Sequence, residues 1–138
     1  MPEGRWIGVD FGTRFVGVAV GDAASHIATP LKTLESKPEP ALFKALSRIA
    51  REHGARGLIV GLPLNMDGSE GAACKSARAF AAKLAAAAKL PVEFVDERLT
   101  SFDAEGKLIE AGFKPSERKQ RVHAISASLI LQAYFSSV

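Results

Sequence analysis

The first third of the chain carries short, dense apolar runs of the kind that strands show. Residues 6–12 (Trp-Ile-Gly-Val-Asp-Phe-Gly) read as a buried strand that stops at a glycine. After Thr13 and Arg14, residues 15–22 (Phe-Val-Gly-Val-Ala-Val-Gly-Asp) form a second β-rich run. Two such runs joined by two residues predict a hairpin, although Gly-Thr-Arg is not the favoured Asn-Gly type of turn. A third strand is expected over 27–34, where Pro30 marks an edge strand or a bulged one. The period then changes. Leu42, Ala45, Leu46, Ile49 and Ala50 fall on one helical stripe within 40–53, closed by Gly54.

Residues 58–61 (Leu-Ile-Val-Gly) are a short apolar run of central-strand type, followed by an irregular stretch over 62–69. An alanine-rich helix is expected from about Glu70 to Lys89, because alanine favours helix and allows close packing on a sheet. Residues 91–95 (Pro-Val-Glu-Phe-Val) read as a fifth strand that runs into Asp96-Glu97-Arg98. Thr100 or Ser101 can cap a helix ending before Gly112, residues 113–121 read as a basic loop, and 122–135 as a last helix. The order βββαβαβαα predicts an α/β fold: a mixed five-stranded sheet, built from a β-hairpin plus βα units, with helices on both faces. No internal repeat or low-complexity segment interrupts it. The expectation is a single domain over 1–138.

The order also suggests where chemistry sits. Ligands of open α/β sheets bind beyond the carboxyl ends of the strands, and acidic residues end strands one and five. Asp10 and the pair Asp96-Glu97 are therefore expected neighbours in space although far apart in sequence. Asp10 lies between Val9 and Phe11, where a carboxylate is costly unless it binds a metal, pairs with a base or accepts backbone hydrogen bonds. The plain alternative is a turn aspartate bonding the backbone at Gly12 and Thr13. Successive strand residues face opposite sides, so at most one of Asp96 and Glu97 should point at Asp10. Together these acids make a metal-site hypothesis, since Mg²⁺ takes a few carboxylates and keeps several waters; a surface ion cluster is the alternative. Glycines 8, 12, 17 and 21 let a backbone approach something bulky, a phosphate for example, or serve a twisted hairpin. In the loop, Asn65, Asp67 and Gly68 are candidates to contact a phosphate or a water at the helix start, or simply form a turn.

Composition narrows the setting. The chain has 138 residues, 47% hydrophobic and 24% charged, an ordinary globular balance. The lone Cys74 cannot close an intramolecular disulfide, which points to a reducing compartment. No apolar run approaches the ~20 residues of a membrane span, and the first residues do not begin a signal peptide, so a cytoplasmic location is expected. The net charge is +3, and segment 113–121 alone, with Lys114, Arg118, Lys119 and Arg121 against Glu117, also carries +3. A neutral body with one basic patch suits a polyanionic partner; a solvated basic loop is the bland reading. His26 and His53 read as structural, Cys74 as a small packing residue, and Trp6 and Tyr134 as core or interface.

Three motifs carry a resemblance. Val9-Asp10-Phe11-Gly12-Thr13, the stretch 61–68 (Gly-Leu-Pro-Leu-Asn-Met-Asp-Gly) and Asp96-Glu97-Arg98-Leu99-Thr100 closely resemble, in the same order and spacing, the YqgF/RuvX family. That family comprises bacterial ribonuclease-H-like proteins described as Holliday-junction resolvases or pre-16S ribosomal RNA nucleases, and the match runs through 129–135. The first motif alone also resembles the phosphate hairpin of the actin and sugar-kinase ATPases, but those proteins close two such domains around a nucleotide.

The family resemblance implies a ribonuclease-H-like nuclease domain with a divalent metal, Mg or Mn, held by carboxylates. Asp10 matches the first-strand aspartate, and Glu97, with Asp96 beside it, matches the second acidic motif. Where the family usually has Val-Asp-Ser at the last helix, this chain has Val122-His123-Ala124. No Asp or Glu occurs in 118–138 to substitute. Three roles for His123 stay open: a neutral third ligand that shifts preference towards Mn²⁺, a proton carrier, or a packing residue in a weakened site. The expected reaction is hydrolysis of a phosphodiester by an activated water. Asp10, Glu97, Asp96 and His123 are the catalytic candidates, and Asp10, Glu97 and His123 the metal ligands. Thr13, Arg14, Asn65, Asp67, Gly68, Arg98, Lys114, Arg118, Lys119 and Arg121 are the candidates to hold nucleic acid. Precursor rRNA is the implied substrate, with branched DNA, which needs a dimer, as the alternative. A catalytically weak nucleic-acid-binding factor in ribosome assembly is the third reading, and a monomer and a homodimer both remain open.

Overall fold

The computed structural model describes residues 3–99 and 112–137, without the side chains of Leu99, Lys119 and Gln120. The helix expected between Thr100 or Ser101 and Gly112 lies outside the described residues. Within them the elements run β1 (Arg5–Phe11), β2 (Phe15–Asp22), β3 (Ile27–Glu35), α1 (Glu39–Glu52), β4 (Gly57–Leu62), α2 (Ala72–Ala88), β5 (Val92–Asp96) and a closing helix α3 (Pro115–Ser137). One turn of 3-10 helix, Glu97–Leu99, follows β5.

The strands form one mixed sheet in the order β3-β2-β1-β4-β5. β1, β2 and β3 pair antiparallel, whereas β1, β4 and β5 run parallel. The hairpin closes at Thr13-Arg14, with the Gly12 N–H donating to the Phe15 carbonyl at 3.0 Å. Pro30 sits on the edge strand β3, and the register slips between Val18 and Ala19, which leaves Leu31 without a partner across the strand. The bulge and the edge are the two places where a residue lacking an N–H fits a sheet.

Alternation sorts the strand residues onto two faces. Ile7, Val9, Val16, Val18, Leu58 and Val60 meet α1 and α2 through Leu42, Leu46, Ile49, Phe80 and Leu84. On the other face Trp6, Ala19, Ile59 and Val95 meet α3 through Ala127, Ile130, Leu131, Tyr134 and Phe135. Each fully buried Leu, Ile or Phe contributes about 1.5–3 kcal/mol, so both interfaces are substantial. Cys74 is buried beside Leu62 and Ala77, and Trp6 lies 5.6 Å from Tyr134, as the packing readings expect.

The glycines resolve differently from a phosphate cradle. A Cβ at Gly8 would come within 2.6 Å of the Ala127 carbonyl oxygen and Leu131, and one at Gly21 within 2.8 Å of the Phe135 ring. At Gly17 it would run into the His123 carbonyl. These three share the face that carries α3, so their missing side chains form the channel in which that helix lies.

The basic segment is also corrected. Residues 115–121 are the first two turns of α3, not a loop. Pro115 occupies the first helical position, where its missing N–H costs nothing. Three residues after Lys114, the Glu117 carboxylate accepts the Lys114 backbone N–H at 3.1 Å, the back-reaching half of a capping box.

Candidate active site

Because β1, β4 and β5 are parallel, their carboxyl ends lie along the same border of the sheet. Asp10 belongs to the α3 face with Trp6 and Gly8, opposite Gly17 on β2. Glu97 comes one residue after β5. Its carboxyl fills the space above Gly61, where a Cβ would lie 2.5 Å from Oε1. There it hydrogen-bonds the Asp10 side chain. Two acids separated by most of the chain are in contact.

Their ionisation follows from that contact. Burial pushes Glu97 from its ordinary 4.5 to about 7, and the Asp10 charge, the hydrogen bond and the Asp96 charge act in the same direction. Asp10 is also raised by burial, while the charge of His123 and the bond from Glu97 work against the rise. The pair therefore holds a proton more tightly than either carboxyl would in water. Two half-buried acids that hold a proton between them are each other's main electrostatic cost, which a cation placed between them relieves.

His123 completes the group from α3. Gly17, which faces Asp10 across the hairpin, lets the His123 backbone descend onto the sheet, so the imidazole comes close enough to stabilise the Asp10 charge. Its ring lies 5.6 Å from the Phe15 ring. Among the described residues no three His, Cys, Asp or Glu side chains converge to hold a metal ion. The donor set this arrangement offers is the Asp10–Glu97 pair, with His123 beside it. Two half-buried carboxylates at the border of the sheet fit a hard divalent cation such as Mg²⁺ or Mn²⁺.

Asp96 is one residue away and on the wrong side. It pairs with Leu62 on the face of α1 and α2. Its carboxylate accepts the Arg98 backbone N–H at 2.9 Å, and Arg98 Nη2 at 2.7 Å and Nε at 3.0 Å. Those bonds hold Asp96 below the usual carboxylate range. Arg98 also donates Nη1 to the Met66 carbonyl at 3.2 Å, so it straps the end of β5 to the loop after β4. The loop is otherwise held by its own residues. Asp67 accepts from the Ser69 N–H and hydroxyl, and Asn65 Nδ2 donates to the Ser69 hydroxyl at 3.0 Å. Gly68 takes φ +87° to turn it, a conformation that favours glycine. The polar groups of Asn65, Asp67 and Arg98 thus brace the rim of the site.

On the opposite rim, the Thr13 carbonyl accepts the Ser36 hydroxyl and the Arg14 carbonyl accepts the Ser36 N–H. The Arg14 guanidinium lies over the Phe15 ring at 5.1 Å. From the start of α3, Arg118 donates Nη1 to the Phe113 carbonyl and Arg121 sits 4.5 Å over the Phe113 ring. Lys114 is exposed beside them, whereas the Lys119 side chain lies outside the described residues. Sequence reasoning missed Phe15 and Phe113, the phenylalanines among the described residues that line this rim. A phenylalanine next to each basic cluster was the available signal.

A family model whose description is Holliday junction resolvase matches residues 4–137. The chain belongs to the RuvX family. A RuvX relative from Anaeromyxobacter sp. (strain Fw109-5) is 43% identical, covering 94% of this chain and 95% of its own. Another, from Ruegeria sp. (strain TM1040), is 42% identical over 91% of this chain and 80% of its own. Both are provisionally named pre-16S rRNA nucleases. Among solved structures, Thermus thermophilus RuvC in complex with a Holliday junction substrate superposes with a TM-score of 0.61 at 14% identity, over 98% of this chain and 95% of that one. At that identity the likeness establishes the fold, which is the ribonuclease-H-like architecture expected of RuvX.

Proposed function

We propose that this RuvX protein is a metal-dependent nuclease that hydrolyses phosphodiester bonds and processes the 5′ end of pre-16S ribosomal RNA. The observation that carries the reading is the Asp10–Glu97 contact: two acids with raised proton affinity, at the carboxyl border of three parallel strands. The names of the RuvX relatives supply the rRNA. Asp10 and Glu97 would hold the divalent cation, which supplies charge neutralisation at the phosphate and activation of a water. Cation binding requires Glu97 to give up its proton, so the site is competent once that carboxyl ionises. His123 stabilises the ionised Asp10 from the neighbouring helix. Asp96 and Arg98 keep the β5 end and the loop after β4 in register with Glu97. Arg14, Lys114, Arg118, Lys119 and Arg121 place a sugar-phosphate strand across the border without reading its sequence.

The test is cleavage of a labelled precursor rRNA leader by purified protein with Mn²⁺ or Mg²⁺. Cleavage is expected with wild type and at least roughly 10- to 100-fold less with Asp10→Asn, since losing even a group that only supports a metal ligand costs that much. Equal activity of the two proteins removes the assignment. The family description and the RuvC likeness favour one second reading, a four-way DNA junction, and a junction substrate in the same assay distinguishes it.

A further inference from the structure

Beside the acidic pair lies a cleft of about 990 Å³, between the edge strand β3, the hairpin turn and the start of α3. That is at the top of the roughly 300–1,000 Å³ range of small-molecule sites. Phe15, Phe113 and His123 line it with Arg14, Arg118 and Arg121, and Lys32 faces it from β3, with Glu35 the one acid among the described lining residues. Arg14 and Arg121 each cover one of the phenylalanine rings. Aromatic rings are stacking surfaces for any nucleobase, guanidinium planes stack likewise, and the positive charges suit the phosphates that link the bases. His123 lines this cleft, and its backbone lies on Gly17, the residue opposite Asp10 on the neighbouring strand, so the cleft borders the end of the sheet that carries the pair.

We propose that this cleft seats unpaired bases of the substrate strand next to the cleaved phosphate, and so makes the protein select single-stranded over duplex nucleic acid. The inference rests on the nuclease reading for its location. Its chemistry is separate: a duplex keeps its bases stacked on one another and offers the cleft only backbone, whereas a single strand can splay a base onto Phe15 or Phe113.

Binding is measured without cleavage, by fluorescence anisotropy of a labelled single-stranded oligoribonucleotide and of a labelled blunt duplex, using Asp10→Asn protein with no divalent metal. A preference for the single strand is expected. Adding Phe113→Leu should weaken single-strand binding roughly 5- to 150-fold, the range of one lost base–aromatic stack, and leave duplex binding unchanged. Phe113→Trp should retain the preference, which separates stacking from a packing role. Phe15→Leu provides the same test on the hairpin side. Equal affinity for the two ligands, or equal losses for both on Phe113→Leu, overturns the proposal. Because no metal or turnover enters this assay, its failure leaves the nuclease reading standing, and a failed cleavage assay leaves this result standing.

Discussion

At the level of single residues, the site depends on one proton shared by Glu97 and Asp10. Glu97 has a folded-state value of about 7 against an ordinary 4.5, so the native protein binds more protons than the unfolded chain between those values. The sign follows: the contribution of this group is fully present below about 4.5 and is lost as pH rises through about 7. Metal-free protein should therefore show a thermal midpoint that falls from pH 5 to pH 8, and Glu97→Gln should flatten that slope. A wild-type slope of opposite sign would mean that the pair is not protonated as described. Mn²⁺ has the reverse dependence, because its binding displaces the proton. The midpoint gain on adding Mn²⁺ should grow from pH 5 to pH 8 and vanish in Asp10→Asn. His123 could be seen in the sequence as a departure from the family's aspartate, but its distance from Asp10 could not. That distance depends on how low α3 sits over Gly17.

Among the elements, α3 governs the site, and the glycines of β1 and β2 govern α3. A methyl at Gly17 collides with the backbone of His123, which cannot rotate away as a side chain would. Gly17→Ala should cost about 1–3 kcal/mol, the usual range for overpacking, read as a lower midpoint in urea. An unchanged midpoint would show that α3 does not lie on β2 this closely. Gly61→Ala acts through Glu97 instead, and should weaken Mn²⁺ binding in calorimetry more than it lowers stability. The start of α3 carries Lys114, Arg118 and Arg121, cations that oppose the helix dipole at that end. Glu117 offsets part of that cost through its cap. Pro115 and Glu117 at the first and third positions of a helix were a start signal within reach of the sequence. The density of charge around them read instead as a loop.

Across the whole molecule, the excess of positive charge is confined to 113–121, beside the cleft and the acidic pair, while the remaining residues balance. Nucleic-acid binding should therefore weaken steeply with salt through a few local contacts rather than a diffuse field. For a single strand each lost phosphate contact lowers the slope of log K against log salt by about 0.7. The double variant Lys114→Gln/Arg121→Gln should flatten the slope measured by anisotropy over a salt series. The same two changes made on α1, Lys44→Gln/Arg48→Gln, should leave it unchanged. Equal slopes for all three proteins would place the phosphate contacts elsewhere.

The sequence by itself determined the order and kind of the elements among the described residues, the hairpin, the edge position of β3 and the acidic ends of β1 and β5. These follow from local patterns: alternation, helical stripes, and a proline that cannot donate to a ladder. It also limited Asp96 and Glu97 to one carboxylate facing Asp10, because strand residues alternate. Only the tertiary structure decided which one, since the parallel register of β4 and β5 puts Asp96 with Leu62 and leaves Glu97 above Gly61. It decided likewise that the glycines receive a helix and that Phe15 and Phe113 share a cleft. Close approach and shared cavities join residues distant in sequence, and no local pattern records what will fill the space a missing side chain leaves.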